Sequence, residues 1–163
     1  MVAYRCLRRV GPALLVCLLG SPALAEDAPP LPRFESLRGS PVFMREGPST
    51  QHRVKWVYHH KGTPLEVIQS YDVWRRVRDA DGETGWMHVA VLTRDRTAVI
   101  RGSGTAPVRR RGDSTAPIVA QAQPGAIGLI ETCSPIACEL DFGNTAGWVE
   151  RTRLWGVHGD EQF

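Results

Sequence analysis

The sequence contains no apolar run long enough to cross a membrane as a permanent helix. The longest candidate, Val10 to Leu19, is interrupted by Gly11 and Pro12 and falls short of the roughly 20 residues that span a hydrocarbon core. Arginines precede this run, and Ala23-Leu24-Ala25 follows it with small residues where a signal peptidase reads. We therefore expect residues 1–25 to be a secretory signal peptide, the protein to be periplasmic or secreted, and the chain to have no stable membrane span.

The rest of the chain lacks an excess of charge of either sign. The whole sequence has 20 Lys and Arg against 17 Asp and Glu, and three of the arginines (Arg5, Arg8 and Arg9) lie in the first 25 residues, which hold no acid. Positive and negative residues therefore balance after the predicted cleavage site. A neutral exported chain offers no general attraction for phosphate backbones, so we expect no nucleic-acid partner.

The residue patterns of common catalytic and cofactor sites are also missing. There is no Gly-x-Ser-x-Gly elbow, and Gly102-Ser103-Gly104 does not open a helix, as a phosphate-binding loop would. The histidines are scattered and have no carboxylate at helical spacing, which argues against a metal site. They are His52, His59, His60, His88 and His158. We therefore expect no enzyme activity, no cofactor and no metal.

Cysteine is scarce after the predicted signal peptide, where only Cys133 and Cys138 remain. An exported pair is exposed to an oxidising compartment, in which disulfides form and persist. A redox motif would more often have two intervening residues, and a zinc site would need two further ligands. We expect a structural disulfide across a short hairpin.

Helical periodicity is absent as well, since no segment after residue 25 keeps a helical period for more than two turns. Short segments rich in β-branched and aromatic residues, such as Leu65 to Tyr71 and Val73 to Arg78, alternate with turn residues instead. Asp79 to Thr84 carries an Asp-Gly hairpin signal. Residues 26–33 are proline-rich and indicate a tether. The pattern predicts an all-β protein.

An internal repeat organises the chain. Ser36 to Ser40 (SLRGS) returns as VIRGS 63 residues later, and Thr84 to Leu92 (TGWMHVAVL) returns as AGWVERTRL 62 residues later. The loop FMREGPST matches PVRRRGDST, and this match aligns Arg45 with Arg109. It also predicts that the Arg-Gly-Asp tripeptide lies in a turn. We therefore expect one domain over residues 34–95 and a second over residues 96–163.

The order of motifs in each copy resembles the bacterial SH3-like (SH3b) domain. The first copy carries Met44-Arg45-Glu46-Gly47-Pro48, Gly62, Trp74-Arg75-Arg76-Val77, Gly82 and Gly85-Trp86. The second copy departs from it, with Gly112 in place of Pro48 and Ala137 in place of Trp74. The resemblance implies two tandem small SH3-like β-barrels and, in exported members, binding of cell-wall or peptide ligands.

Aromatic residues cluster in the first copy and predict its ligand site. Trp56, Tyr58, Tyr71 and Trp74 exceed what one small barrel needs for its core, and rings beside loops make peptide or glycan platforms. We expect a groove between the loop from Arg45 to Thr50 and the region from Trp56 to Lys61, with Arg45 or Glu46 fixing charge. Trp86 and Trp148, in contrast, are expected to pack in the two cores.

These features together predict an exported, non-enzymatic binding or scaffold module of the cell envelope. The expected ligand is peptide-like, either a peptidoglycan stem peptide or an extended segment of an envelope protein. Two alternatives stay open. One is a purely structural tandem, in which Trp56 and Tyr58 are buried between the barrels. The other is a nucleic-acid-binding SH3-like module.

Overall fold

The computed structural model describes residues 30–159 and 161–162, and within them it is an all-β protein of two seven-stranded sheets. The predicted signal peptide and the first half of the predicted tether, residues 26–29, lie outside the described residues. The first sheet contains β1 (Arg33–Leu37), β2 (Val42–Arg45), β3 (Val54–Tyr58), β4 (Pro64–Tyr71), β5 (Trp74–Arg78), β6 (Thr84–His88) and β7 (Leu92–Thr93). The second contains β8 (Thr97–Ile100), β9 (Ala106–Arg109), β10 (Ile118–Ala122), β11 (Ile127–Cys133), β12 (Ala137–Asp141), β13 (Ala146–Glu150) and β14 (Leu154–Trp155).

The two sheets have the same topology. Their strand orders are β3-β2-β6-β5-β4-β1-β7 and β10-β9-β13-β12-β11-β8-β14, and neighbouring strands are antiparallel. A single 3₁₀ turn precedes the last strand of each sheet, at Val89–Val91 and Arg151–Arg153. The prediction of two tandem small SH3-like barrels is confirmed.

The predicted hairpin between β5 and β6 shows how local sequence sets the strand pairing. Asp79 closes the turn, because its backbone NH donates to the Glu83 carbonyl and its Oδ1 accepts from the backbone NH of Asp81 and of Glu83. Gly82 has a φ of +87°, which glycine adopts at no steric cost. This turn fixes the register that places Trp74 opposite His88 and Arg76 opposite Trp86.

Each barrel has its own core, and the tryptophans expected there lie elsewhere. Buried side chains fill the first core: Leu37, Val42, Met44, Leu65, Val67, Val77, Met87 and Leu92. The second core includes Ile100, Val108, Ile130, Leu140, Val149 and both cysteines. The expectation for Trp86 and Trp148 is wrong, since both are only half-buried. Residues alternate between the two faces of a strand, so Met87 and Val149 face inward and the tryptophan before each faces outward.

The two barrels contact each other through buried polar and aromatic residues. Thr97 Oγ1 donates to the Gly62 carbonyl at 2.6 Å and lies 2.7 Å from Ser36 Oγ. The Phe34 ring meets the Trp155 ring edge to face at 5.3 Å between centroids. Because Thr97 and Trp155 belong to the second barrel while their partners belong to the first, this contact fixes one barrel against the other.

Candidate ligand-binding groove

Two of the aromatic side chains predicted to bind a ligand are exposed. Trp56, on the edge strand β3, is 50% exposed, and Tyr71, at the end of β4, is 61% exposed. The Tyr71 ring meets Trp86 edge to face at 6.4 Å between centroids. The purely structural alternative requires Trp56 to be buried between the barrels. Trp56 is exposed instead.

The other two aromatic residues are held inside the first barrel's structure. The Tyr58 hydroxyl donates to Asp79 Oδ2 at 2.7 Å, and burial together with this carboxylate raises the tyrosine pKa well above its usual range. Trp74 is 9% exposed, and its ring packs edge to face against His88 at 5.4 Å. Trp74 thus offers no free face for stacking, and Tyr58 presents only part of its ring.

Arg45 makes a structural contact that the alignment of the two repeats does not reveal. Its Nη1 donates to the His52 carbonyl at 2.8 Å, and the aligned Arg109 donates from Nη1 to the Ala116 carbonyl at 2.8 Å. Each arginine therefore braces the long loop that follows its own strand, across seven residues. The shared role of the two arginines is to shape these loops.

Glu46 is exposed and lies beside a shallow pocket of about 310 Å³, together with Lys55, Arg76 and Trp86. Lys55 Nζ lies 2.8 Å from Glu83 Oε2. The hydrogen bond from Lys55, and after it one from Trp56, hold the pKa of Glu83 below its usual range. The first barrel thus brings Glu46 next to Trp86, which was not among the predicted site residues.

The second barrel contains a more enclosed groove of about 310 Å³. Trp148 and Ala137 line its centre, in neighbouring strands β13 and β12. The loop Arg111–Ser114 forms one wall and the turn at Pro135 and Ile136 forms the other. Ile136 is 64% exposed, so the groove has an apolar rim as well as an aromatic floor.

The Arg-Gly-Asp tripeptide forms the first wall in a folded-back shape. Arg111 Nε lies 3.4 Å from Asp113 Oδ2, and Asp113 Oδ1 accepts from the Thr115 hydroxyl at 2.6 Å. The Thr115 hydroxyl contact is the main reason that the pKa of Asp113 lies below its usual range; loss of solvent partly opposes it, and the Arg111 contact adds to it. A Cβ on Gly112 would lie 2.7 Å from Trp148 Cε3, so only glycine allows the loop to rest on the indole.

The second wall is fixed by the disulfide and by hydrogen bonds. Cys133 and Cys138 are directly opposite each other in β11 and β12, with Cα atoms 4.1 Å apart, and they form the expected disulfide. The Ser134 backbone NH donates to the Ala137 carbonyl at 2.8 Å, and Arg151 Nη1 donates to the Ser134 carbonyl at 2.7 Å. The turn that carries Ile136 is therefore rigid on both sides.

Charges of both signs border this groove. Glu150 is exposed, and it forms no ion pair or side-chain hydrogen bond with any residue in the described part of the chain. Arg109 and Arg151 also line the groove, and the Nε atom of each is buried without a hydrogen-bond partner among the residues described. An aromatic floor with an acid and guanidinium groups at its border can contact both apolar and charged groups of a ligand.

The two barrels differ at one position that decides whether this groove is open. Trp74 and Ala137 occupy equivalent positions, because each is the first residue of its strand. Trp74 pairs with His88 and Ala137 pairs with Glu150, and each partner lies two residues after the outward-facing tryptophan of its barrel. In the first barrel the Trp74 indole fills this place against His88, whereas the small Ala137 side chain leaves it open beside Trp148. The replacement is visible in the repeat, and it is the signal that could have located the groove.

No group of three or more His, Cys, Asp or Glu side chains lies in a metal-binding arrangement within the described part. Over the same residues, no helix has the length and apolar character needed to cross a membrane.

Comparison with known proteins gives a family and several distant structural neighbours. Among curated proteins none matches the sequence. Solved structures similar to this one include NlpC2 and NlpC1 from Trichomonas vaginalis, with 10% and 14% sequence identity and TM-scores of 0.34 and 0.33. The alignments cover 79% and 88% of this chain and 51% of each neighbour, so this chain spans about half their length.

The sequence itself matches the bacterial SH3 domain model twice, over residues 38–93 and 102–156. Each match covers six of the seven strands of one sheet, and together the two matches cover more than half of the chain. The chain belongs to the bacterial SH3 domain family, with one copy of the domain in each half.

Proposed function

We propose that this protein is an exported, non-catalytic binding module of the cell envelope, and that its second barrel binds a peptide-like ligand in the groove over Trp148. Domains of this family typically bind cell-wall or protein ligands rather than catalyse reactions, which supports a binding role. The observation that carries the proposal is the open groove between the Arg111–Ser114 loop and the Ile136 turn.

The physical chemistry of the groove favours an extended peptide. The exposed part of the half-buried Trp148 indole and the exposed side chain of Ile136 offer apolar contact area to a ligand. Both walls are braced before a ligand arrives, one by the contacts of Arg109 with the Ala116 carbonyl and of Asp113 with Thr115, and the other by the disulfide. Little ordering entropy is therefore lost when a ligand binds between them. A peptidoglycan stem peptide and an extended segment of an envelope protein both have this character.

The predicted site in the first barrel is a second candidate surface on the same module. Its exposed members are Trp56, Tyr71 and Glu46, whereas Trp74 is buried. Ligand binding by Arg45, Glu46, Trp56, Tyr58, Tyr71 and Trp74 stays a prediction. The experiment below separates the two surfaces.

Retention on purified sacculi tests the proposal. Ile136→Ser removes an exposed apolar side chain from the groove and leaves the fold intact, so we expect retention to fall severalfold relative to the unaltered protein. Leu129→Ser is the matched control, because Leu129 is also exposed but lies outside the groove. Trp56→Ala tests the first-barrel surface in the same assay.

The retention of these variants distinguishes between the two candidate surfaces. Loss of retention with Ile136→Ser alone supports the second-barrel groove, and loss with Trp56→Ala alone moves the site to the first barrel. If the unaltered protein is not retained on sacculi, the cell-wall ligand is wrong. Cross-linking in intact cells would then show whether a protein segment occupies the groove.

A further inference from the structure

A second pocket, of about 410 Å³, lies in the first barrel and is strongly basic. Its wall contains four arginines and one acid: Arg33, Arg38, Arg75, Arg94 and Glu35. It shares no lining residue with the groove over Trp148. In a chain whose charges balance after residue 25, such a concentration of one sign calls for a physical explanation.

The single acid compensates only one of these arginines. Glu35 is buried, and its Oε1 accepts from Arg33 Nε at 2.8 Å. None of the other three arginines forms an ion pair with a carboxylate anywhere in residues 30–159 or 161–162. Three positive charges therefore border the pocket without a compensating negative charge, and their mutual repulsion favours the entry of an anion.

Backbone contacts hold two of the three arginines in place. Arg38 donates from Nε and Nη2 to the Leu92 carbonyl at 3.2 and 3.0 Å. Arg75 donates from Nη1 to the carbonyls of Asp72 and Trp74 at 2.8 and 2.9 Å. A guanidinium group has five N–H donors, so each of these side chains keeps free donors after its backbone contacts. Because they are already ordered, little side-chain entropy is lost when they bind a ligand.

We propose that this pocket binds the phosphate group of a phosphorylated ligand through Arg38, Arg75 and Arg94. A phosphate monoester presents several acceptor oxygens and up to two negative charges, which matches several guanidinium groups better than a single carboxylate does. The pocket exceeds the size of one phosphate group, so the remainder of the ligand has room beside Leu92 and Val89. The site is independent of the peptide groove and gives the module a second, anionic ligand.

The same chemistry could come from a soluble phosphate ester or from a lipid headgroup, and the experiment includes both. The purified protein is titrated with inorganic phosphate, with glycerol phosphate, and with acetate as a carboxylate of lower charge. Binding is followed by calorimetry and by NMR signals of the arginine Nε–H groups. Sedimentation with phosphatidylglycerol vesicles, compared with phosphatidylcholine vesicles, tests the lipid source.

Arg94→Gln is the informative variant, because Arg94 is exposed and has no side-chain partner among the described residues, so the fold does not depend on it. Loss of one charge-assisted contact is expected to weaken phosphate binding about tenfold. Arg110→Gln is the matched control, since it removes one exposed positive charge from the second barrel, outside this pocket. Arg75→Gln provides a second test inside the pocket.

Saturable binding of either phosphate probe, weakened by Arg94→Gln and by Arg75→Gln but not by Arg110→Gln, supports the site and assigns it a soluble ligand. Binding only to phosphatidylglycerol vesicles, with the same pattern of variants, supports the site and assigns it a lipid headgroup. Absence of binding to all phosphate probes, equal effects of the three variants, or acetate binding as tight as phosphate binding would overturn the proposal.

Discussion

At the scale of single residues, Tyr58 and Tyr71 show that two members of one aromatic cluster have opposite roles. The Tyr58 hydroxyl donates to Asp79, whereas Tyr71 is exposed. Tyr58→Phe is expected to lower the free energy of unfolding by about 1–2 kcal/mol, because a hydrogen bond to a charged group is lost. Urea titration measures the change. Tyr71→Phe is the control and should leave stability unaltered; equal effects of the two substitutions would contradict this role of Tyr58.

The raised pKa of Tyr58 makes the same contact depend on pH. Because folding favours the protonated phenol, its contribution to stability is complete below the ordinary tyrosine pKa of about 10 and declines as the pH rises above that value. The difference in unfolding free energy between the unaltered protein and Tyr58→Phe should therefore shrink above pH 10. A difference that stays constant with rising pH would exclude this linkage.

At the scale of elements, the β11–β12 hairpin combines a disulfide with a wall of the groove. Replacing both Cys133 and Cys138 by serine is expected to cost about 2 kcal/mol, the loop entropy of so short a closed ring. The loss should be confined to the second barrel and should loosen the Ile136 turn. Amide hydrogen exchange measures this locally, with β4–β5 of the first barrel as the internal control. Equal acceleration of exchange in both barrels would contradict a local role.

The positions of the strands could be predicted from the sequence, but which side of each strand faces the core could not. The segments predicted from β-branched residues and turn signals, Leu65 to Tyr71 and Val73 to Arg78, coincide with β4 and β5, because alternation and turn chemistry are local. Trp86 and Met87 are both apolar neighbours, so the pattern does not decide which one faces the core. Gly85 and Met87 lie on the same face of β6, and this face turns inward because Gly85 leaves room for Met44 of another strand. A Cβ on Gly85 would lie 2.4 Å from Met44 Cγ. The groove likewise depends on the empty volume beside Ala137, a tertiary property.

At the scale of the whole molecule, the contact between the barrels determines whether the groove and the basic pocket move as one body. Thr97 is central to this contact, because it is buried, its Oγ1 donates to the Gly62 carbonyl, and it lies 2.7 Å from Ser36 Oγ of the first barrel. Ser36 Oγ also reaches the Asp95 carbonyl at 2.7 Å, so the segment that joins the barrels is held by the same residues.

Thr97→Val keeps the shape of this side chain but removes its hydroxyl, which leaves the Gly62 carbonyl without its buried donor. Stability should fall by about 1–3 kcal/mol, the cost of an unsatisfied buried polar group. NMR relaxation should then show the two barrels tumbling more independently than in the unaltered protein. Thr105→Val is the control, since Thr105 is exposed in the second barrel. If Thr97→Val lowers stability but the barrels still tumble together, the hydroxyl of Thr97 is not what holds one barrel against the other.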